Sequence, residues 1–174
     1  STELQLTQLR ERQLDALVVD VRRVEAAPDL VMTQVVEMRA GFVCRQGHPL
    51  LARTAKGLPF DALLSYPIAS IQLSQEVARL LVDHYGPQAN PAQMTTLQCE
   101  DIASLLDVVG QTDAIYLGIL GAAREGLAKG RLVELPMQIP LKGQARLALI
   151  TLAGRTELPV MSVFRAFVQS YLSD

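Results

Sequence analysis

Helical and strand-like periods alternate along the whole of this 174-residue chain. It opens on Thr2-Glu3-Leu4-Gln5, a hydroxyl at a capping position with Gln three residues later, which predicts a helix from Thr2 to Arg12. Leu14 to Val19 then reads as a short buried strand, with Leu30 to Glu37 and Gly41 to Cys44 as two further strands. Arg45-Gln46-Gly47-His48-Pro49 breaks the pattern with a turn, and Pro59 to Pro67 reads as a connector. The apolar run Ile68-Ala69-Ser70-Ile71 follows. It leads into a helix capped by Ser74 that carries Val77, Leu80, Leu81 and His84 on one face and ends at Gly86-Pro87. Thr95 to Leu97 predicts a strand. Ile102, Leu105, Leu106 and Val109 repeat the helical spacing, Ala114 to Leu117 is a strand, Gly121 to Ala128 a helix and Leu132 to Leu135 a strand. Pro136 to Gly143 is a second connector, and Ala145, Leu147 and Leu149 alternate as a strand. The last helix shows the clearest stripe: Val160, Val163, Phe164, Phe167, Val168, Tyr171 and Leu172, a face expected to pack into a core.

Strands alternating with single helices imply an α/β fold with mostly parallel sheets. The two connectors divide the chain so that residues 65–141 form one lobe, while 1–64 and 142–174 share the other. A ligand would then be expected in a cleft near the crossover strands. The first lobe would hold few strands for its apolar content. It therefore reads as incomplete, lacking a strand–helix–strand unit of roughly 30 residues.

Composition narrows the function classes. Sixteen basic against eighteen acidic residues give a net charge of −2, without the basic excess that phosphate neutralisation demands. This chain by itself is not expected to bind DNA. Hydrophobic residues make up 49% and charged residues 20%, an ordinary globular balance. Cys44 and Cys99 are too few for a disulfide framework and belong to no CxxC pair, which suits a reducing, cytoplasmic compartment. No membrane span, metal set or cofactor motif is expected: His48, His84 and the two cysteines lie scattered, without ligand spacing. Cys44 and His48 could be cast as nucleophile and base, but no third orienting group accompanies them, so no catalytic residue is assigned.

Four segments, in order, carry a family resemblance. Leu9-Arg10-Glu11-Arg12-Gln13-Leu14-Asp15-Ala16-Leu17-Val18 is similar to the helix exit and buried strand of LysR-type regulators, with Arg12 where that family commonly has Gly. Phe42 to Leu50 resembles the strand that ends in the family's His-Pro-Leu turn. Gln111 to Gly118 resembles its helix-to-strand return, without the second Gly and the Pro common there, and Gly130-Arg131-Leu132-Val133-Glu134-Leu135 resembles a further strand. The resemblance implies the effector-binding domain of a LysR-type regulator, with a two-lobed periplasmic-binding-protein-like (type II) fold whose first lobe is incomplete. It implies a small organic effector, in keeping with a carboxylate or sugar acid, and a homo-oligomer, dimer or tetramer. DNA would be met only through a winged helix-turn-helix outside this sequence. The alternative is a solute-binding protein of the same fold serving a transporter.

The resemblance also implies sites, since family effectors meet hydroxyls and amides at helix N-termini, where exposed N–H groups favour anions. Thr2, with Ser1 beside it, matches such a position; simple capping explains it equally well. Ser70 and Gln72 lie on the crossover into the second lobe, with a buried strand hydroxyl as the other reading of Ser70. Asp101, next to Glu100, starts a helix and serves as either a contact or a cap. Gly118, with Gly121, brackets a predicted strand-to-helix turn, either an anion loop or merely a tight turn.

Overall fold

The computed structural model describes residues 2–141, 144–156 and 158–172. Its principal elements run in the order α1 (Thr2–Arg10), β1 (Leu17–Asp20), β2 (Leu30–Arg45), β3 (Ile68–Ser70), α2 (Gln75–Tyr85), α3 (Pro91–Met94), β4 (Thr95–Gln98), α4 (Ile102–Gln111), β5 (Ile115–Ile119), α5 (Arg124–Ala128), β6 (Leu132–Glu134), β7 (Gln144–Leu152) and α6 (Val160–Leu172). Short 3-10 helices occupy Pro49–Lys56 and Phe60–Ser65, the second of them inside the predicted connector. Two strands predicted at 30–37 and 41–44 are one: no turn residue separates them, and extended backbone runs straight through Met38-Arg39-Ala40.

The chain divides into a unit of residues 1–38 with 144–174 and a unit of residues 39–143. The second unit thus takes in 39–64, which the sequence reading gave to the first lobe. The physical reason is packing: Phe42, Leu50, Leu58, Phe60 and Leu63 share one core with Ile68, Leu81 and Ile115.

In the first unit the strand order is β1–β7–β2. β1 and β7 are antiparallel, with Leu17 opposite Ile150 and Asp20 opposite Leu147. Leu9 of α1 packs on Leu17, Val19 and Ile150. The exit of α1 closes with Arg12 N–H donating to Leu9 O at 3.1 Å and Gln13 N–H to Gln8 O at 2.8 Å, the paired bonds of a Schellman turn. That turn needs a left-handed residue, and Arg12 supplies it at φ 61°, the one non-glycine with positive φ among the described residues.

In the second unit β2 is flanked by β6 and β5, both antiparallel to it, and β3 lies between β5 and β4, parallel to both. The parallel part is therefore narrower than expected: among the described strand-to-strand pairings it is β4–β3–β5, with one isolated parallel bridge between Leu58 and Met137. β3 is buried at all three residues, as its unbroken apolar run requires. One face carries the Phe42–Phe60–Tyr85 cluster, with Phe60 and Tyr85 stacked at 4.6 Å. The other carries Leu105 and Val109 of α4 against Val43, Ala69 and Tyr116.

Candidate functional site

Because β4, β3 and β5 are parallel, their C-terminal ends meet at one edge of the second unit. There the chain leaves β3 for α2 and β4 for α4. Strand ends of this kind are where open α/β sheets hold ligands. Both helices begin at this edge under side-chain caps. Ser74 Oγ accepts from Val77 N–H at 3.3 Å, and Asp101 Oδ1 accepts from Ala103 N–H at 3.1 Å, as their residue types predict.

Four of the sequence-derived candidates fall in this region. Ser70 ends β3, is fully buried and donates its hydroxyl to Leu117 O at 2.9 Å, tying β3 to β5. This is the geometry of a structural hydroxyl. Gln72 is exposed in the loop that follows, and its N–H donates to Glu100 Oε1 at 3.2 Å. Asp101 uses both oxygens, the second accepting from Ser104 Oγ at 2.6 Å. The Ser104 hydroxyl and then the Ala103 amide hold its carboxyl below the usual carboxylate range. Gly118 lies within β5, opposite Gly41, and not in the predicted turn. A side chain there would strike the ring of Tyr116, which is almost fully buried and folds over the glycine. The strand pairing and that ring give Gly118 its local reason.

Thr2 belongs to the first unit and is the first helical residue of α1, one place inside the helix from the expected cap. Ser1 lies outside the described residues.

The nucleophile–base pairing has no geometric support. Cys44 is buried in the core, and burial pushes its thiol up to about 11. Both His48 ring nitrogens are engaged: Nδ1 accepts from Leu50 N–H at 3.1 Å, and Nε2 lies 3.1 Å from Asp113 O. Asp113 in turn receives Arg45 at 2.7 Å. His48, Asp113 and Arg45 thus fasten the turn at 45–50 to the start of β5. Sequence reasoning missed this group because the partners are 65 or more residues apart. It also missed the Gln72–Glu100 contact, for which the acidic residue at the start of α4 was the available signal.

Several cavities lie within the units. One of about 250 Å³ in the first unit is lined by Asp15, Arg155 and Arg165 among others, with Arg155 paired to Asp15 at 2.6 Å. One of about 660 Å³ in the second lies along α4 and α5, with Leu106, Asp107 and Glu125 on its walls. Among the described residues no group of three or more His, Cys, Asp or Glu side chains could hold a metal ion, and no helix is long and apolar enough to cross a membrane.

The SDS degradation transcriptional activation protein of a Pseudomonas species is 30% identical over 161 residues, which are 92% of this chain and 51% of that protein. The chain thus spans about half the length of that relative. Among solved structures, a transcriptional regulator from Vibrio parahaemolyticus matches with a TM-score of 0.71 at 18% identity, over 98% of this chain and 75% of that one. The CrgA regulatory domain of Neisseria meningitidis, a LysR-type regulator, matches at 0.69 and 14% identity, over 96% and 79%. The effector-binding domain of QuiR in complex with shikimate matches at 0.66 and 16% identity, over 99% and 78%. These likenesses establish the fold as that of LysR effector domains. The sequence also matches the LysR substrate binding domain over residues 1–173. This chain belongs to the LysR substrate-binding domain family.

Proposed function

We propose that this chain is the sensing part of a LysR-type transcription regulator and binds a small organic effector. The observation that carries the reading is the family match along residues 1–173, with a transcription activator as its relative. The effector class that suits the reading is a carboxylate or sugar-derived acid, and a structurally similar effector domain holds shikimate. In this reading DNA is met by a winged helix outside this sequence, the protein works as a homo-oligomer in the cytoplasm, and it performs no chemistry on its ligand. A solute-binding role for a transporter is not favoured by a relative that activates transcription.

Within the second unit, Gln72 and the start of α4 at Asp101 are the proposed contacts, with the backbone at Gly118 beside them. Ser70 contributes by holding β3 to β5. Thr2 and Ser1 are proposed contacts of the first unit. A thermal-shift screen against carboxylates, sugars, sugar acids and amino acids tests this. A ligand that binds only the folded state adds about 2.7 kcal/mol at a hundred times its dissociation constant. The expected result is a hit weakened by Thr2→Ala or Gln72→Ala. A hit indifferent to both removes these residues from the site, and silence across the panel removes the sensing role.

A further inference from the structure

We infer that Glu100 decides which chemical group this edge of the second unit accepts: a hydroxyl or ammonium donor of the effector, not its carboxylate. The inference rests on the effector-binding reading above and concerns the same region.

An exposed backbone N–H at the end of a parallel strand is the natural seat for a ligand carboxylate, because it offers a donor without a competing side chain. Here that donor, Gln72 N–H, is already met by a carboxylate that belongs to the chain itself, Glu100 Oε1 at 3.2 Å. The neighbouring acid cannot stand in for it. Asp101 has one oxygen on Ala103 N–H and the other on Ser104 Oγ, so it could leave only by uncapping α4. An incoming carboxylate would have to displace Glu100 and then remain within a few ångströms of two negative charges. A hydroxyl or ammonium group meets the opposite situation. A carboxylate oxygen accepts more than one hydrogen bond, so Glu100 can hold Gln72 and a ligand donor at once. A sugar-derived acid satisfies both demands if its hydroxyls face Glu100 and its acid group lies elsewhere.

Two panels of probes separate the possibilities in thermal-shift titrations of this chain. One holds donor-free carboxylates such as benzoate and hexanoate; the other holds polyols, amino sugars and alkylamines. Each is run on the unaltered protein, on Glu100→Gln, which keeps the shape and removes the charge, and on Glu100→Ala, which bares the Gln72 amide. The melting transition without ligand shows that each variant is folded. Expected is tighter binding of donor-free carboxylates to both variants by about fivefold or more, the size of a like-charge contact ~4 Å apart in solvent. Donor-bearing probes should weaken on Glu100→Ala. Equal carboxylate affinity in all three proteins, alongside measurable binding, overturns the role of Glu100 and leaves the sensing function standing. No response from any protein to either panel overturns both.

Discussion

Helices α4 and α6 carry similar apolar spacing and meet different fates. In α4, Leu105 and Val109 are almost wholly buried between the strands and α5, as a one-sided amphipathic helix should be. Among the residues of α6 whose burial is described, Met161 and Val168 reach that state, while Val160, Val163 and Phe167 remain 61%, 68% and 52% exposed. The contrast extends to the units that hold them. Residues 39–143 enclose two core clusters, with Phe42, Leu63, Ile68, Tyr116 and Ile115 all near zero exposure. Among the described residues the first unit shows a cluster around Leu9, Leu17, Val19 and Ile150, buries Ala148, Leu149 and Met161 besides, and leaves Leu4, Val31, Met32 and Leu158 partly in solvent. An apolar stripe therefore announces a helix and the existence of a face to be covered, but not whether the covering surface is in the same stretch of chain.

The sharpest way to break this contrast is to truncate one aromatic ring in each unit. Phe42→Ala removes a ring packed against Phe60 and Tyr85 and should cost about 3–5 kcal/mol in urea unfolding of this chain. Phe167→Ala should stay within about 0.5 kcal/mol, since its ring is half in solvent. Comparable losses at both positions would show that the exposed face of α6 is buried in solution.

What was legible in the sequence follows the same line. Ser74 and Asp101 were readable as caps because capping is local: the side chain and the amides it serves lie within three residues. Gly86 was readable as a stop for the same reason. Long-range pairing was not readable. Nothing local tells that β2 runs unbroken to Arg45, that 39–64 joins the second unit, or that Ser70 Oγ lies under Leu117 O. Gly118 looked like a turn glycine, although its neighbour two places back, Tyr116, is what excludes a side chain there. Of the candidate contacts, Gln72 and Asp101 proved to share an edge because the strands before them are parallel neighbours, a fact of topology that spacing alone does not carry.

A smaller effect sharpens the picture of the first unit. Arg12 holds the left-handed position of the α1 exit at φ 61°, where a side chain is disfavoured and glycine is not. Arg12→Gly should stabilise the chain by roughly 1 kcal/mol, less whatever glycine's greater freedom in the unfolded state takes back. Chemical denaturation read by circular dichroism checks it. A loss of stability would mean that the Arg12 side chain contributes more to the turn than its backbone strain costs.

The smallest effect concerns the start of α4, where acid should act on a cap and leave the packing alone. Asp101 is held below the ordinary carboxylate range by Ser104 Oγ and Ala103 N–H, so it binds its proton less readily folded than unfolded. A depressed folded value makes the sign definite. The contribution is fully present above the unfolded value near 3.9 and is lost as pH falls through the lower folded value. Asp101→Asn keeps a capping oxygen with no charge to titrate, and asparagine caps about as well as aspartate. The stability difference between the two proteins should therefore hold steady from neutrality to about pH 5 and then shift against the Asp101 protein as acid is added. Hydrogen exchange at the Ala103 and Ser104 amides locates the change at the cap. A difference that does not move with pH would mean that the Asp101 carboxylate gains nothing from its two partners, and that the start of α4 is held instead by Leu105 and Val109 in the core beneath it.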